Sequence, residues 1–170
     1  MGSVPELVRA TAARTGLAAT FVEQRGRSLQ DAGNLPVSSG SQRALARPVD
    51  CASLLLSLAA ERVRQAPATV DEFASLANIQ TGETAISALV TLISTIWRGD
   101  RAARGAHVTI DMSEPMIAIR RDGREVRYWR GDAILDFKGV DTFRRRIEVP
   151  GMVIAAIGAD LGFKGCADAA

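Results

Sequence analysis

Apolar residues recur at helical spacing through roughly the first hundred positions of the chain and alternate with polar residues after that. Two amphipathic stretches lie before residue 33, separated by Gly16, and further apolar stretches follow between residues 50 and 97. From His107 onward the alternation is the one expected of half-buried β-strands. The pattern predicts an α+β fold, with helices first and then a small antiparallel sheet and a C-terminal helix.

The first two predicted helices are joined by a tight turn. The run SVPE at positions 3–6 combines a serine cap, a proline in the first turn and a following glutamate, and it predicts helix one over about 5–15. Gly16 then lies where a short turn requires a positive φ, which glycine adopts without steric cost. The second helix is predicted from Ala18 or Thr20 to Ala32, because Ala32-Gly33-Asn34 is typical of a helix end.

The run GLAATFVEQRGRSLQDAGNLP, residues 16–36, resembles the turn, recognition helix and helix exit of winged helix-turn-helix proteins. The usual exit of that family, L-x-x-A-G-L-[LI], stands here as LQDAGNL. Gly40, Arg43 and Arg47 then fall where the family carries its wing. More loosely, the whole chain is similar to prophage-type proteins with an N-terminal helix-turn-helix and a small β-containing C-terminal part.

The sequence departs from this family at Arg25, where many relatives place an apolar residue, and Gly26 follows it. Glycine inside a helix costs about 1 kcal/mol relative to alanine. Gly26 therefore indicates either that the helix is short or that its backbone comes close to another part of the protein.

The resemblance implies that the second helix enters the major groove of double-stranded DNA. Arginine and glutamine are the side chains that pair with guanine and adenine edges there, and arginine in a flexible wing can reach phosphates or the minor groove. The alternatives are a merely solvated helix face and, for 36–48, a surface linker. The candidate DNA-binding residues are Thr20, Gln24, Arg25, Arg27, Ser28, Gln30, Arg43 and Arg47.

Three more helices are predicted between the wing and the sheet, over about 50–65, over about 70–77, and from about 81 or 82 to 97. Asp50 is suited to cap the first of them. The last is the most apolar helix of the chain, and its wide stripe serves either the monomer core or a subunit interface. We therefore expect a winged helix-turn-helix domain over 1–66 and an α+β assembly or partner domain over 67–170.

Within the predicted sheet, Asp122-Gly123 is a hairpin-turn signal, a later strand is expected over about 142–149, and the last helix over about 150–161. Arginines are dense on these strands and are predicted to share one face, where they could meet phosphates. The alternative is that the charges prevent edge-to-edge pairing. These arginines are Arg120, Arg121, Arg124, Arg127, Arg130, Arg144, Arg145 and Arg146.

Composition narrows the class of protein. With 170 residues and 47% hydrophobic content the chain can bury a real core, and a net charge of only +2 means that any nucleic-acid surface is local. Cys51 and Cys166 form no metal or redox motif, which favours a reducing cytoplasm. No leader is recognisable, and the apolar runs are too short and interrupted to span a membrane.

Sites for chemistry are scarce in the sequence. There is no phosphate loop, nucleophile elbow or cysteine-histidine cluster, and His107 is the single histidine. We therefore expect neither an enzyme nor a metal or other cofactor. The sequence favours a bacterial or phage transcriptional regulator that binds double-stranded DNA as a homodimer or higher homo-oligomer. The alternatives are a small terminase-like subunit for recognition in DNA packaging and a protein-interaction adaptor that does not bind DNA.

Overall fold

The computed structural model describes residues 2–38, 43–130 and 145–169, and it has the α+β architecture that the sequence predicts. Short 3-10 helices lie at Val63–Gln65 and Lys164–Ala169. The α-helices are α1 (Val4–Thr15), α2 (Ala19–Asp31), α3 (Pro48–Ser57), α4 (Ala66–Ala74), α5 (Ala85–Trp97), α6 (Arg101–Arg104) and α7 (Gly151–Asp160). The strands are β1 (His107–Asp111), β2 (Met116–Arg121), β3 (Arg124–Trp129) and β4 (Arg146–Pro150).

The ends of α1 lie where local signals predict them. The carboxylate of Glu6 accepts hydrogen bonds from the backbone N of Ser3, at 2.6 Å, and from its Oγ, at 2.9 Å. These bonds fix the first turn of the helix. At the other end Gly16 has φ 71° and ψ 9°, the left-handed conformation that stops a helix and that glycine adopts readily.

Helix α2 packs closely on α1 at Gly26. A Cβ at this position would lie 2.9 Å from Cγ2 of Val8, which is too close for two carbon atoms. Of the two explanations for this glycine, the close approach is therefore correct, since α2 runs its full predicted length.

Helices α3 and α4 differ from the predicted spans. Helix α3 ends at Ser57 and not near residue 65, and the chain then turns back before the 3-10 helix Val63–Gln65. Helix α4 begins at Ala66, so Pro67 lies in its first turn, where no backbone N–H is needed. Helix α5 begins later than predicted, after Thr84, whose Oγ1 accepts from the backbone N of Ser87 at 3.4 Å.

The sheet is antiparallel throughout, with strand order β3-β2-β1-β4. The β2–β3 hairpin turns at Asp122 and Gly123, which have φ values of 52° and 74°, as the sequence predicts for a turn of this kind. Strand β4 is described from Arg146 to Pro150, and the earlier part of the predicted strand lies outside the described residues. Helix α7 follows β4 directly.

The prediction that the arginines of the sheet share one face is wrong. Side chains alternate between the two faces of a strand, and residues paired across strands share a face. Arg121 and Arg124 pair with each other and lie on the face of Ile117 and Ile119, which packs toward the helices. Other arginines lie on the opposite, outer face with His107, namely Arg120, Arg127 and Arg146.

Buried residues from all three described ranges form one hydrophobic cluster, which runs from Val4 to Cys166. Helix α5 lies in this cluster between α3 and α7, with Leu89, Ile93 and Ile96 fully buried. The stripe of α5 thus serves the monomer core, and a role in subunit contact stays a prediction. The division at residues 66 and 67 also stays a prediction, and buried residues on both sides of it share this core.

Within the described ranges, no helix has both the length and the apolar character needed to cross a membrane.

The N-terminal and C-terminal helices are joined by an ion pair that should make stability depend on pH. Arg14 Nη2 lies 2.6 Å from Oδ1 of Asp160, and its hydrogen bonds hold the pKa of Asp160 below the ordinary value. The stabilisation that Asp160 gains from this pair is fully present above its unfolded-state pKa of about 4. It is lost as the pH falls through the lower pKa of the folded state. We expect Asp160→Asn to lower the urea midpoint at neutral pH, with a difference from wild type that shrinks below about pH 4. A difference that stays constant through that range would contradict the assignment.

Candidate nucleic-acid interface

Three of the candidate residues form one exposed stripe on α2. Thr20, Gln24 and Arg27 are spaced at i, i+4 and i+7, so they lie above one another on the same side of the helix. All three are exposed, and within the part of the chain that the structure describes Arg27 has no carboxylate at ion-pair distance. The stripe is therefore available to a partner.

Arg25 does not lie on this stripe, and its predicted placement on the exposed face is wrong. It is only 2% exposed. Its Nε donates to the carbonyl of Ser57 at 3.1 Å and its Nη2 to the carbonyl of Ala60 at 2.7 Å, while its guanidinium carbon lies 3.5 Å from the centroid of the Phe21 ring. Arg25 thus ties α2 to the end of α3 and is not available to read DNA.

Two more candidates, Ser28 and Gln30, are partly buried and bonded to backbone carbonyls. Ser28 Oγ donates to Val63 at 3.1 Å, and Gln30 Nε2 donates to Pro36 at 3.2 Å. The bond from Ser28 anchors the 3-10 helix Val63–Gln65, and the bond from Gln30 anchors the segment that follows α2. Ser28 or Gln30 could contact a DNA base only by giving up its hydrogen bond to the backbone carbonyl.

The described part of the wing candidate pairs with the N-terminus of the chain. Leu45 forms an antiparallel bridge with Ser3, and the backbone N of Val4 donates to the carbonyl of Ala44 at 3.0 Å. Gly40 lies outside the described residues, and the winged classification stays a prediction. The pairing brings Arg43 beside the first turn of α1.

Arg43 and Arg47 differ in their surroundings. Arg43 is exposed, and its charge helps to lower the pKa of Glu6 after the larger effect of the hydrogen bonds from Ser3. Arg47 donates from Nε and Nη2 to the carboxylate of Asp50, both at 3.1 Å, and these bonds raise the pKa of Arg47. The Arg47 side chain is still 61% exposed, but its charge is partly neutralised.

One arginine that was not among the candidates belongs with this surface. Arg9 is exposed on α1 and lines the groove between α1 and α2 together with Arg27 and Gln30. Its charge, like that of Arg43, lowers the pKa of Glu6. The signal was present in the sequence, because helical spacing places Arg9 opposite the apolar side of α1. We call Arg9, Arg27 and Arg43 the α1–α2 arginine group.

Acidic residues limit the positive charge of α2 itself. Asp31 is exposed and Glu23 is partly exposed on the same helix as Arg27. The outer surface of α2 is therefore not basic without its neighbours. Attraction for an anion depends on Arg9 of α1 and on Arg43, which lies beside the first turn of α1.

The cysteines and the histidine offer no evident reaction centre. Cys51 and Cys166 are both fully buried, and burial together with the nearby charge of Asp50 raises the pKa of the Cys51 thiol to about 12. Such a thiol is not ionised at neutral pH and does not act as a nucleophile. His107 lies on the outer face of β1, and no group of three or more metal-ligating side chains is found among the described residues.

Another groove, of about 610 Å³, lies between α5 and the β2–β3 hairpin. Leu92, Ile119 and Val126 form part of its apolar lining. On its rim Arg121 is paired with Asp122 at 3.2 Å, and deeper in the groove Tyr128 donates to Glu83 at 3.2 Å. Burial is the main cause that raises the pKa of Tyr128 to about 12, so the phenol stays protonated as a hydrogen-bond donor.

Comparisons of the chain with protein-family models, with curated proteins and with solved structures gave no match.

Proposed function

We propose that this protein is a cytoplasmic, non-catalytic protein that binds double-stranded DNA through α2 and the arginines beside it. The observation that supports this function is the exposed stripe of Thr20, Gln24 and Arg27 on a helix that follows a left-handed turn at Gly16. Arg9 lines the α1–α2 groove with Arg27, and Arg43 lies beside the first turn of α1, so these two arginines provide the positive charge that α2 alone lacks.

In the proposed complex α2 lies in the major groove. Gln24 and Arg27 contact base edges, because their side chains match the hydrogen-bond patterns of adenine and guanine. Arg9 and Arg43 contact phosphates and set the orientation of α2. Arg47 makes a weaker phosphate contact, since Asp50 already accepts two of its hydrogen bonds.

Transcriptional regulation is the use that we propose for this binding. A homodimer would place two copies of α2 on two half-sites one helical turn apart. Recognition of a DNA packaging site, as in a small terminase subunit, is an alternative use of the same surface. The number of subunits in solution separates the two, because a ring of many subunits favours packaging.

A protein-interaction adaptor is the second candidate function. The groove between α5 and the β2–β3 hairpin favours it, since that groove is large, has Leu92, Ile119 and Val126 in its lining, and is distant in sequence from α2. An adaptor would tolerate the loss of the α1–α2 arginine group.

The DNA-binding proposal predicts a salt-dependent affinity that requires the α1–α2 arginine group. We expect the variant Arg9→Ala/Arg27→Ala/Arg43→Ala to bind random-sequence duplex DNA about tenfold more weakly than wild type at moderate salt. The slope of log affinity against log salt should fall in magnitude by about 2, because the lost phosphate contacts of Arg9 and Arg43 remove about 0.9 each. Fluorescence anisotropy across a potassium chloride series measures both quantities.

A matched control removes the same charge elsewhere. Arg98, Arg120 and Arg124 are also exposed, and none of them has a described carboxylate at ion-pair distance. The variant Arg98→Ala/Arg120→Ala/Arg124→Ala should keep most of the affinity and salt slope of wild type. Equal losses in the two triple variants would show that only net charge matters, and the proposed interface would then be wrong.

A further inference from the structure

A second groove, about 400 Å³, lies between α2, the sheet edge at β4 and α7. We call it the β4 groove. Its size falls in the range of small-molecule sites, which are mostly apolar with a few polar groups. Its apolar lining includes Leu17, Phe21, Leu58, Met112, Ile147 and Val153.

The β4 groove contains a buried positive charge. Arg25 lines it and is only 2% exposed, yet within the described residues its guanidinium contacts backbone carbonyls and no carboxylate. Burial lowers the pKa of Arg25, and no acidic neighbour among the described residues offsets this effect. A buried charge without a countercharge is costly, and such groups are usually paired.

The hydrogen-bonding capacity of Arg25 is also only partly used. A guanidinium has five N–H donors. The hydrogen bonds of Arg25 go to the carbonyls of Ser57, Phe21 and Ala60, one each from Nε, Nη1 and Nη2. One N–H on each Nη atom therefore has no described acceptor. Two such donors match the two oxygens of a carboxylate.

The rim of the groove restricts the charge of a ligand. Arg145 is exposed without a described carboxylate at ion-pair distance, whereas Arg14 is paired with Asp160. Glu61 and Glu148 also line the groove and are exposed. These two carboxylates disfavour a dianion such as a phosphate monoester, but they leave room for a single negative charge near Arg25.

We propose that the β4 groove binds a small amphipathic monocarboxylate, whose charged group lies at Arg25 and whose apolar part contacts Leu17, Met112 and Ile147. The Arg25 guanidinium complements the charge of the carboxylate. The apolar lining adds binding free energy, because the hydrocarbon part of the ligand is removed from water. This binding does not depend on the proposed interaction with DNA, since it is measured on the protein alone.

Methyl NMR of the full chain labelled at methionine tests the proposal, with octanoate as the probe and octanol as its uncharged counterpart. Met112 lines the groove, whereas Met116 lies on the outer face of the sheet and serves as the internal reference. We expect octanoate to shift the Met112 methyl signal without moving that of Met116. Octanoate should bind about tenfold more tightly than octanol, because only the carboxylate pairs with Arg25.

A variant at the rim completes the test without disturbing Arg25. Leu17 is 37% exposed, so Leu17→Glu places a negative charge at the groove without burying it, and octanoate should bind about tenfold more weakly. Leu45 is 50% exposed and does not line the groove, so Leu45→Glu should leave binding unchanged. The proposal is overturned if Met112 does not respond, if octanol binds as tightly as octanoate, or if both variants weaken binding equally.

Discussion

We expect the Arg25→Ala variant to lose about 3 kcal/mol of unfolding free energy, a large effect for a single polar side chain. The Arg25 guanidinium donates to the carbonyls of Ser57 and Ala60 in the turn that follows α3, and it stacks on Phe21. Hydrogen bonds from charged donors stabilise by about 1.5 to 3 kcal/mol each. Removal of Arg25 leaves both carbonyls without this donor, although the cost of burying its charge is relieved.

Urea denaturation followed by circular dichroism measures this loss, and a neighbour in the same helix provides the control. Arg27 is exposed and makes no hydrogen bond or ion pair within the described structure, so Arg27→Ala should change stability by less than about 0.5 kcal/mol. Similar losses in Arg25→Ala and Arg27→Ala would contradict the structural role of Arg25. The result also matters for DNA-binding tests, because any loss of affinity in Arg25→Ala would reflect damage to the fold.

The Trp97→Ala variant should lose about 4 kcal/mol of unfolding free energy. Trp97 is 3% exposed at the end of α5 and stacks on Phe163, with ring centroids 4.4 Å apart. Its Nε1 donates to the carbonyl of Ile154 in α7 at 3.0 Å. Gly158 leaves space for the indole, since a Cβ there would lie 2.5 Å from Cδ1 of Trp97. Truncation therefore opens a cavity where α5, α7 and the C-terminal 3-10 helix meet.

The second tryptophan of the chain is the control for this prediction. Trp129 is only partly buried on the outer face of β3, where its backbone pairs with Ala77 through two hydrogen bonds. These backbone bonds survive the substitution, so Trp129→Ala should cost clearly less than Trp97→Ala in the same denaturation measurement. An equal or greater loss in Trp129→Ala would contradict the role of Trp97 in joining α5 to α7.

The structure also separates the candidate DNA-binding residues of α2 into three groups. Thr20, Gln24 and Arg27 stay exposed on one stripe, whereas Ser28 and Gln30 are partly engaged and Arg25 is buried. The proposed interface is consequently smaller than the sequence predicts for α2, and it gains Arg9 from α1. The three-arginine variant removes charges from three separate elements and avoids the side chain that holds the fold together.

Several parts of the fold followed from the sequence because their signals act over only a few residues. The SVPE run started α1, Gly16 ended it, and Asp122-Gly123 formed the hairpin between β2 and β3. The alternation of apolar and polar residues after His107 correctly indicated an antiparallel sheet. Each of these signals, whether a helix cap, a positive φ or a two-residue period, involves only residues close together in the sequence. The element can therefore be predicted without knowing any distant contact.

The contacts of Arg25 were decided only by the tertiary structure. Arginine is rarely buried, so the residue type suggests the solvent side of α2, although the spacing of Arg25 from Val22 and Leu29 places it on the apolar side. Two of its acceptors, the carbonyls of Ser57 and Ala60, lie 32 and 35 residues further along the chain, and no local sequence pattern predicts these hydrogen bonds. The early end of α3 belongs to the same arrangement, because the turn after Ser57 presents those carbonyls to Arg25. The β4 groove exists for the same reason, since folding brings α2, β4 and α7 together and leaves a buried cation between them.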